Sequence, residues 1–84
     1  MSYKINKDIT YKKGKDGIVI YIQGGIFLLN STASLIFSEI LKNREKKDIV
    51  KKITSMYNIT QKKAEEDFDK FIKELKKKKI IVEE

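Results

Sequence analysis

Apolar positions along the chain follow two rhythms, one of alternation or continuous runs before residue 30 and one of three- and four-residue spacing after it. The first predicts strands and the second helices. Over residues 3–11 the apolar members Tyr3, Ile5, Ile9 and Tyr11 alternate loosely with lysines, the pattern of an edge strand blunted by charge. Lys12-Lys13-Gly14-Lys15-Asp16-Gly17 predicts a turn. Ile18-Val19-Ile20-Tyr21-Ile22 is β-branched or aromatic throughout and gives the strongest strand signal. Gln23-Gly24-Gly25 supplies the positive φ angles of a tight hairpin, and residues 26–29 form the returning strand.

Asn30 or Ser31 can cap the first helix by accepting a backbone N–H. Ala33, Ile36, Phe37, Ile40 and Leu41 then recur at helical spacing over about 11 residues, and Asn43-Arg44 ends the helix. A second helix begins near Lys47, with Ile49, Val50, Ile53, Met56 and Tyr57 on one stripe. Asn58-Ile59-Thr60 breaks it, and Thr60 is a cap for a third. There Ala64, Phe68, Phe71, Ile72 and Leu75 share one arc, acidic residues crowd the first half and lysines close the end, as the helix dipole favours. The tail Ile80-Ile81-Val82 is expected to fold back on the body. The order is three strands, then three helices: an α+β domain with a sheet packed on a three-helix bundle.

The strand at residues 26–29 is apolar on both faces, with Ile26 and Leu28 pointing one way and Phe27 and Leu29 the other. Only one face can belong to the core of so short a chain. If this strand lies at the open edge of the sheet with the third helix beside it, the pair forms a groove. Unpaired backbone groups line one wall and apolar side chains the other, and such a groove takes an extended peptide by strand addition.

Eighty-four residues are expected to make one domain, spanning 1–84. Cysteine and histidine are both absent, which removes disulfides, thiolate nucleophiles, the commonest zinc ligand and the usual general base near neutral pH. The opening residues are polar, and no stretch approaches the roughly 20 apolar residues that span a bilayer, so a cytoplasmic protein without a membrane segment is expected. Glu65, Glu66, Asp67 and Asp69 point in different directions around a helix and cannot converge on a metal, and Gly24-Gly25 lacks a following helix to cradle a phosphate. No catalytic constellation emerges, and neither enzyme activity, cofactor nor metal is expected.

The formal charge is +7, but Arg44 is the only arginine, so the basicity points weakly to nucleic acid. Lys76-Lys77-Lys78-Lys79 fits a solvated helix end better than a phosphate site.

A strand ending in Leu29-Asn30-Ser31-Thr32-Ala33, the Asp48-Ile49-Val50 helix reaching Tyr57, and Asp67-Phe68-x-x-Phe71-Ile72-x-x-Leu75 closing with Ile80-Ile81 together resemble the PqqD-like proteins, also called RiPP recognition elements. The resemblance covers about residues 18–82. It implies a winged-helix-like fold, with a three-stranded antiparallel sheet followed by three helices. It also implies a non-enzymatic chaperone that binds the leader segment of a ribosomally made precursor peptide and presents the core segment to a tailoring enzyme, such as a radical-SAM protein, a cyclase or a leader peptidase. Carried over, the leader would contact Ile26, Phe27, Leu28 and Leu29, and Asp67, Phe68, Lys70, Phe71, Glu74 and Leu75 of the third helix. Lys42-Asn43-Arg44-Glu45 departs from the family, which often has a glycine-containing turn there.

The alternative is a winged-helix DNA-binding regulator, with Gln61, Lys62 and Lys63 entering the major groove. Against it, the hairpin precedes the helices and base-reading arginine is missing. A monomer or a weak homodimer is expected, since an open strand edge can pair with a second copy.

Overall fold

The computed structural model describes residues 3–15 and 17–83. Five strands and three helices follow in the order β1 (Tyr3–Ile5), β2 (Thr10–Gly14), β3 (Gly17–Ile22), β4 (Gly25–Leu28), α1 (Ser31–Leu41), α2 (Lys46–Tyr57), α3 (Gln61–Lys77) and β5 (Ile81–Glu83). β2, β3 and β4 form an antiparallel sheet in that spatial order, and the helices follow it as expected. The register places Tyr11 opposite Ile20, and Ile20 opposite Phe27. Ile18 and Ile20 therefore face the helices, while Val19 and Tyr21 lie on the outer face.

The expected strand over residues 3–11 is two strands in different sheets. Asn6 breaks it: its side-chain Oδ1 accepts from the Asp8 amide at 2.9 Å, an Asx turn, and its Nδ2 donates to the Lys79 carbonyl at 2.7 Å. β1 is thereby turned away to pair antiparallel with β5, Tyr3 opposite Glu83, and this is how the Ile80-Ile81-Val82 tail returns to the body. The expected turn over residues 12–17 contracts, because β2 runs on to Gly14, which pairs with Gly17. Asp16 of that turn lies outside the described residues. In the second hairpin only Gly24 has positive φ, at 91°.

All three helices stand where the spacing put them. Asn30 is the N-cap of α1, its Oδ1 accepting from the Ala33 amide at 2.9 Å, and Thr60 caps α3 through Lys63 at 3.1 Å. α2 ends at Asn58 in the left-handed conformation. Between α1 and α2, Asn43 adopts φ 63°, a left-handed conformation that asparagine tolerates.

One core cluster joins Ile18 and Ile20 of β3, Leu29, Ile36, Phe37 and Ile40 of α1, Ile49, Val50 and Ile53 of α2, the whole apolar arc of α3, and Ile80 and Ile81. Met56 and Tyr57 depart from their expected stripe. Both are exposed, because the last turn of α2 borders an open cleft facing the β2–β3 turn and α1.

Candidate functional site

The expected groove begins at β4, which pairs with β3 on one side and has no strand on the other among the described residues. Antiparallel pairs alternate between hydrogen-bonded and non-hydrogen-bonded. The Leu29 amide donates to the Ile18 carbonyl at 2.9 Å, so Phe27 and Leu29 turn their backbone groups toward β3. It follows that Ile26 and Leu28 turn theirs toward the open edge.

Side chains divide the same strand differently. Leu29 is buried and Phe27 half-buried on the helix side, whereas Ile26 and Leu28 are exposed at 60% and 66% on the outer face, beside Tyr21 and Val19. The surplus apolar face is thus the one carrying Ile26 and Leu28.

The end of β4 is fastened by Ser34 in the first turns of α1. Its hydroxyl accepts from the Ile18 amide at 3.0 Å and donates to the Leu29 carbonyl at 3.3 Å, bridging the start of β3 and the end of β4. Gly17, at φ 130°, lets the two segments close up here.

α3 runs opposite in direction to β4. Asp67, Lys70, Phe71 and Glu74 meet Asn30, Thr32, Ala33 and Ile36 around a cleft of about 300 Å3. At the other end, the Lys78 ammonium lies 4.9 Å from the centre of the Phe27 ring, a cation–π contact. Lys70, Lys73, Glu74 and Lys77 of α3, with Lys78 at its C-cap, line a second cleft of about 520 Å3. Lys70 and Glu74 border both.

Of the residues expected to meet a peptide, Ile26, Leu28, Lys70 and Glu74 are exposed, Phe27 and Asp67 half-buried, and Leu29 and Phe71 buried. Phe71 still borders the first cleft. Phe68 and Leu75 have no exposed surface and form the packing beneath. Lys73, Lys77 and Lys78 were not singled out as groove residues by their sequence, yet positions 70, 73, 74, 77 and 78 follow the i, i+3, i+4, i+7, i+8 spacing of one helix face.

Charge elsewhere serves packing. Glu39 of α1 is a buried carboxylate, 3.3 Å from Lys52 and 3.4 Å from Lys42. Burial pushes its pKa up, but hydrogen bonds and charge from the two lysines outweigh that and hold it below the ordinary value. Lys46 is 2.9 Å from Asp69, whose hydrogen bond raises the lysine's pKa and ties α2 to α3. At the start of α3, Lys63 pairs with Asp67 at 3.1 Å and Gln61 donates to Glu65 at 3.3 Å, so two of the three residues of the DNA reading are engaged with carboxylates. Among the described residues no three potential ligands gather around a metal position, and no helix is long and apolar enough to cross a membrane.

The sequence profile of the family described as "Coenzyme PQQ synthesis protein D (PqqD)" matches residues 16–81. A search of curated proteins gave no match. Among solved structures, "Lasso peptide synthetase B1 complexed with the leader peptide" superposes with a TM-score of 0.90 at 24% identity, covering 99% of this chain and 100% of that one. "TbiB1 in Complex with the TbiA(beta) Leader Peptide" gives 0.86, also at 24% identity, over 93% of each chain. At that identity the likeness establishes a shared fold.

Proposed function

The chain belongs to the PqqD family, matched over residues 16–81, and from that premise we propose that it binds the leader segment of a ribosomally synthesised precursor peptide. The leader adds as a further strand on β4, pairing with the backbone of Ile26 and Leu28. Its groove-facing side chains rest on Phe27, Phe71 and the exposed side of α3, with Asp67, Lys70 and Glu74 at the rim and Leu29, Phe68 and Leu75 as support below. The domain is one non-enzymatic binding unit of the cytoplasm, and it delivers the precursor to a tailoring enzyme such as a radical-SAM protein, a cyclase or a leader peptidase. The solved proteins of the same fold were captured with leader peptides, which supports this assignment. No comparison favours a DNA-binding role.

The observation that carries the reading is an apolar strand whose outer edge has no partner among the described residues, with a cleft bordered by Phe71 at its end. Leu28→Pro tests it selectively. Proline removes only the outward N–H, leaves the ladder to β3 intact and is tolerated on an edge strand. In an amide NMR titration with the leader half of a precursor peptide encoded beside the gene, the parent should shift at residues 26–30 and along α3. The proline variant should keep its cross-strand β3–β4 contacts and bind more than about tenfold more weakly, the loss of roughly one backbone hydrogen bond in a desolvated site. Undiminished binding by the folded variant would sink strand addition on β4.

A further inference from the structure

We infer that the lysine face of α3 selects leaders by charge, requiring carboxylates on the C-terminal side of the segment that pairs with β4. The inference rests on the leader-binding reading and specifies the peptide it takes.

Four lysines, at positions 70, 73, 77 and 78, border one open cleft with a single carboxylate, Glu74. The ion pairs of the described residues lie elsewhere, on Lys42, Lys46, Lys52 and Lys63, so none neutralises this face. α3 is otherwise acidic toward its start, where Asp67 and Asp69 are already paired to Lys63 and Lys46. The groove therefore has an electrical direction. Its end near Asn30 and Asp67 mixes both signs, and its end near Phe27 is cationic.

Chain direction turns this gradient into a sequence rule. Every strand pair among the described residues is antiparallel, and a strand continuing that pattern runs opposite to β4. Its N-terminal part then lies by Asn30 and Asp67, and its C-terminal part passes Phe27 and reaches Lys73, Lys77 and Lys78. A leader with Asp or Glu after its apolar anchors places those carboxylates against ammonium groups that have no carboxylate partner among the described residues. One with Lys or Arg there meets like charge and is rejected.

The test pans a display library of random 14-residue peptides on the full chain and on the triple variant Lys73→Gln, Lys77→Gln, Lys78→Gln, with circular dichroism to confirm that both are folded. The parent should enrich alternating apolar residues followed by Asp or Glu, and the variant the same apolar pattern without the acidic preference. A selected acidic peptide, followed by fluorescence anisotropy, should bind the variant about tenfold more weakly, as three partly exposed charge pairs predict, and bind the parent less tightly as salt rises. Apolar enrichment without acidic residues, or an acidic preference that survives in the variant, overturns the charge rule and leaves leader binding standing. Acidic residues enriched before the anchors overturn the antiparallel direction. Failure to enrich any apolar pattern counts against strand addition itself, and the charge rule falls with it.

Discussion

A methyl group on Gly17 would lie 2.5 Å from the carbonyl oxygen of Leu29, closer than any carbon can stand to a backbone oxygen without one of them moving. The first residue of β3 thus has to be glycine for the end of β4 to stay where it is. Its φ of 130° belongs to a region that side chains rarely enter. Gly17→Ala should cost about 1–3 kcal/mol from the conformation alone, with the clash added. Urea denaturation would register the loss, and an alanine variant as stable as the parent would contradict the close approach.

Ser34 supplies the hydroxyl that holds the same junction. Ser34→Ala leaves the part-buried Ile18 amide without its acceptor, and a loss of about 1–3 kcal/mol is expected. Hydrogen exchange should show Ile18 losing protection first, ahead of the helices.

The Glu39 carboxylate gives stability a defined acid dependence. Its folded pKa lies below the ordinary value of 4.5, so its contribution is fully present above the unfolded pKa and disappears as pH falls through the folded one. Glu39→Gln should flatten the decline of stability in that acid window. Parallel acid titrations of parent and variant, followed by circular dichroism, would reveal equal slopes if the carboxylate were not responsible.

Asn43 stands in the left-handed region at φ 63° between α1 and α2. Asn43→Gly should be neutral to within about 0.5 kcal/mol, whereas Asn43→Val should cost about 1–2 kcal/mol, because a β-branched side chain meets the following carbonyl there. Thermal melts of the two variants would separate these outcomes, and a tolerated valine would argue against the assigned backbone.

Much of this was written locally in the sequence. Helical spacing located α1, α2 and α3, and Asn30 and Thr60 act as the caps their chemistry suggested. The split between β1 and β2 was harder to read, because it depends on Asn6 bonding to Lys79, 73 positions away. The fate of Met56 and Tyr57 likewise depended on where α2 stops relative to its neighbours. At the site, the two faces of residues 26–29 were distinguishable in advance, but which was the surplus one was not. Helix periodicity marked Phe68, Phe71 and Leu75 as one arc without telling how much of each would remain exposed. Lys77 and Lys78 belong to a lysine run that fits a solvated helix end, and the contact of Lys78 with the Phe27 ring depends on where β4 lies.

The two borders of the three-stranded sheet are unlike. β2 carries Lys12 and Lys13 along its free side, a deterrent to further pairing, whereas β4 has no ionisable side chain at all. A second copy pairing with this sheet would meet less charge at β4 than at β2, and a β4-to-β4 contact is self-complementary about a two-fold axis. Such a contact occupies the attractive border of both molecules and turns the repellent ones outward. Each such pairing would withdraw two grooves from use.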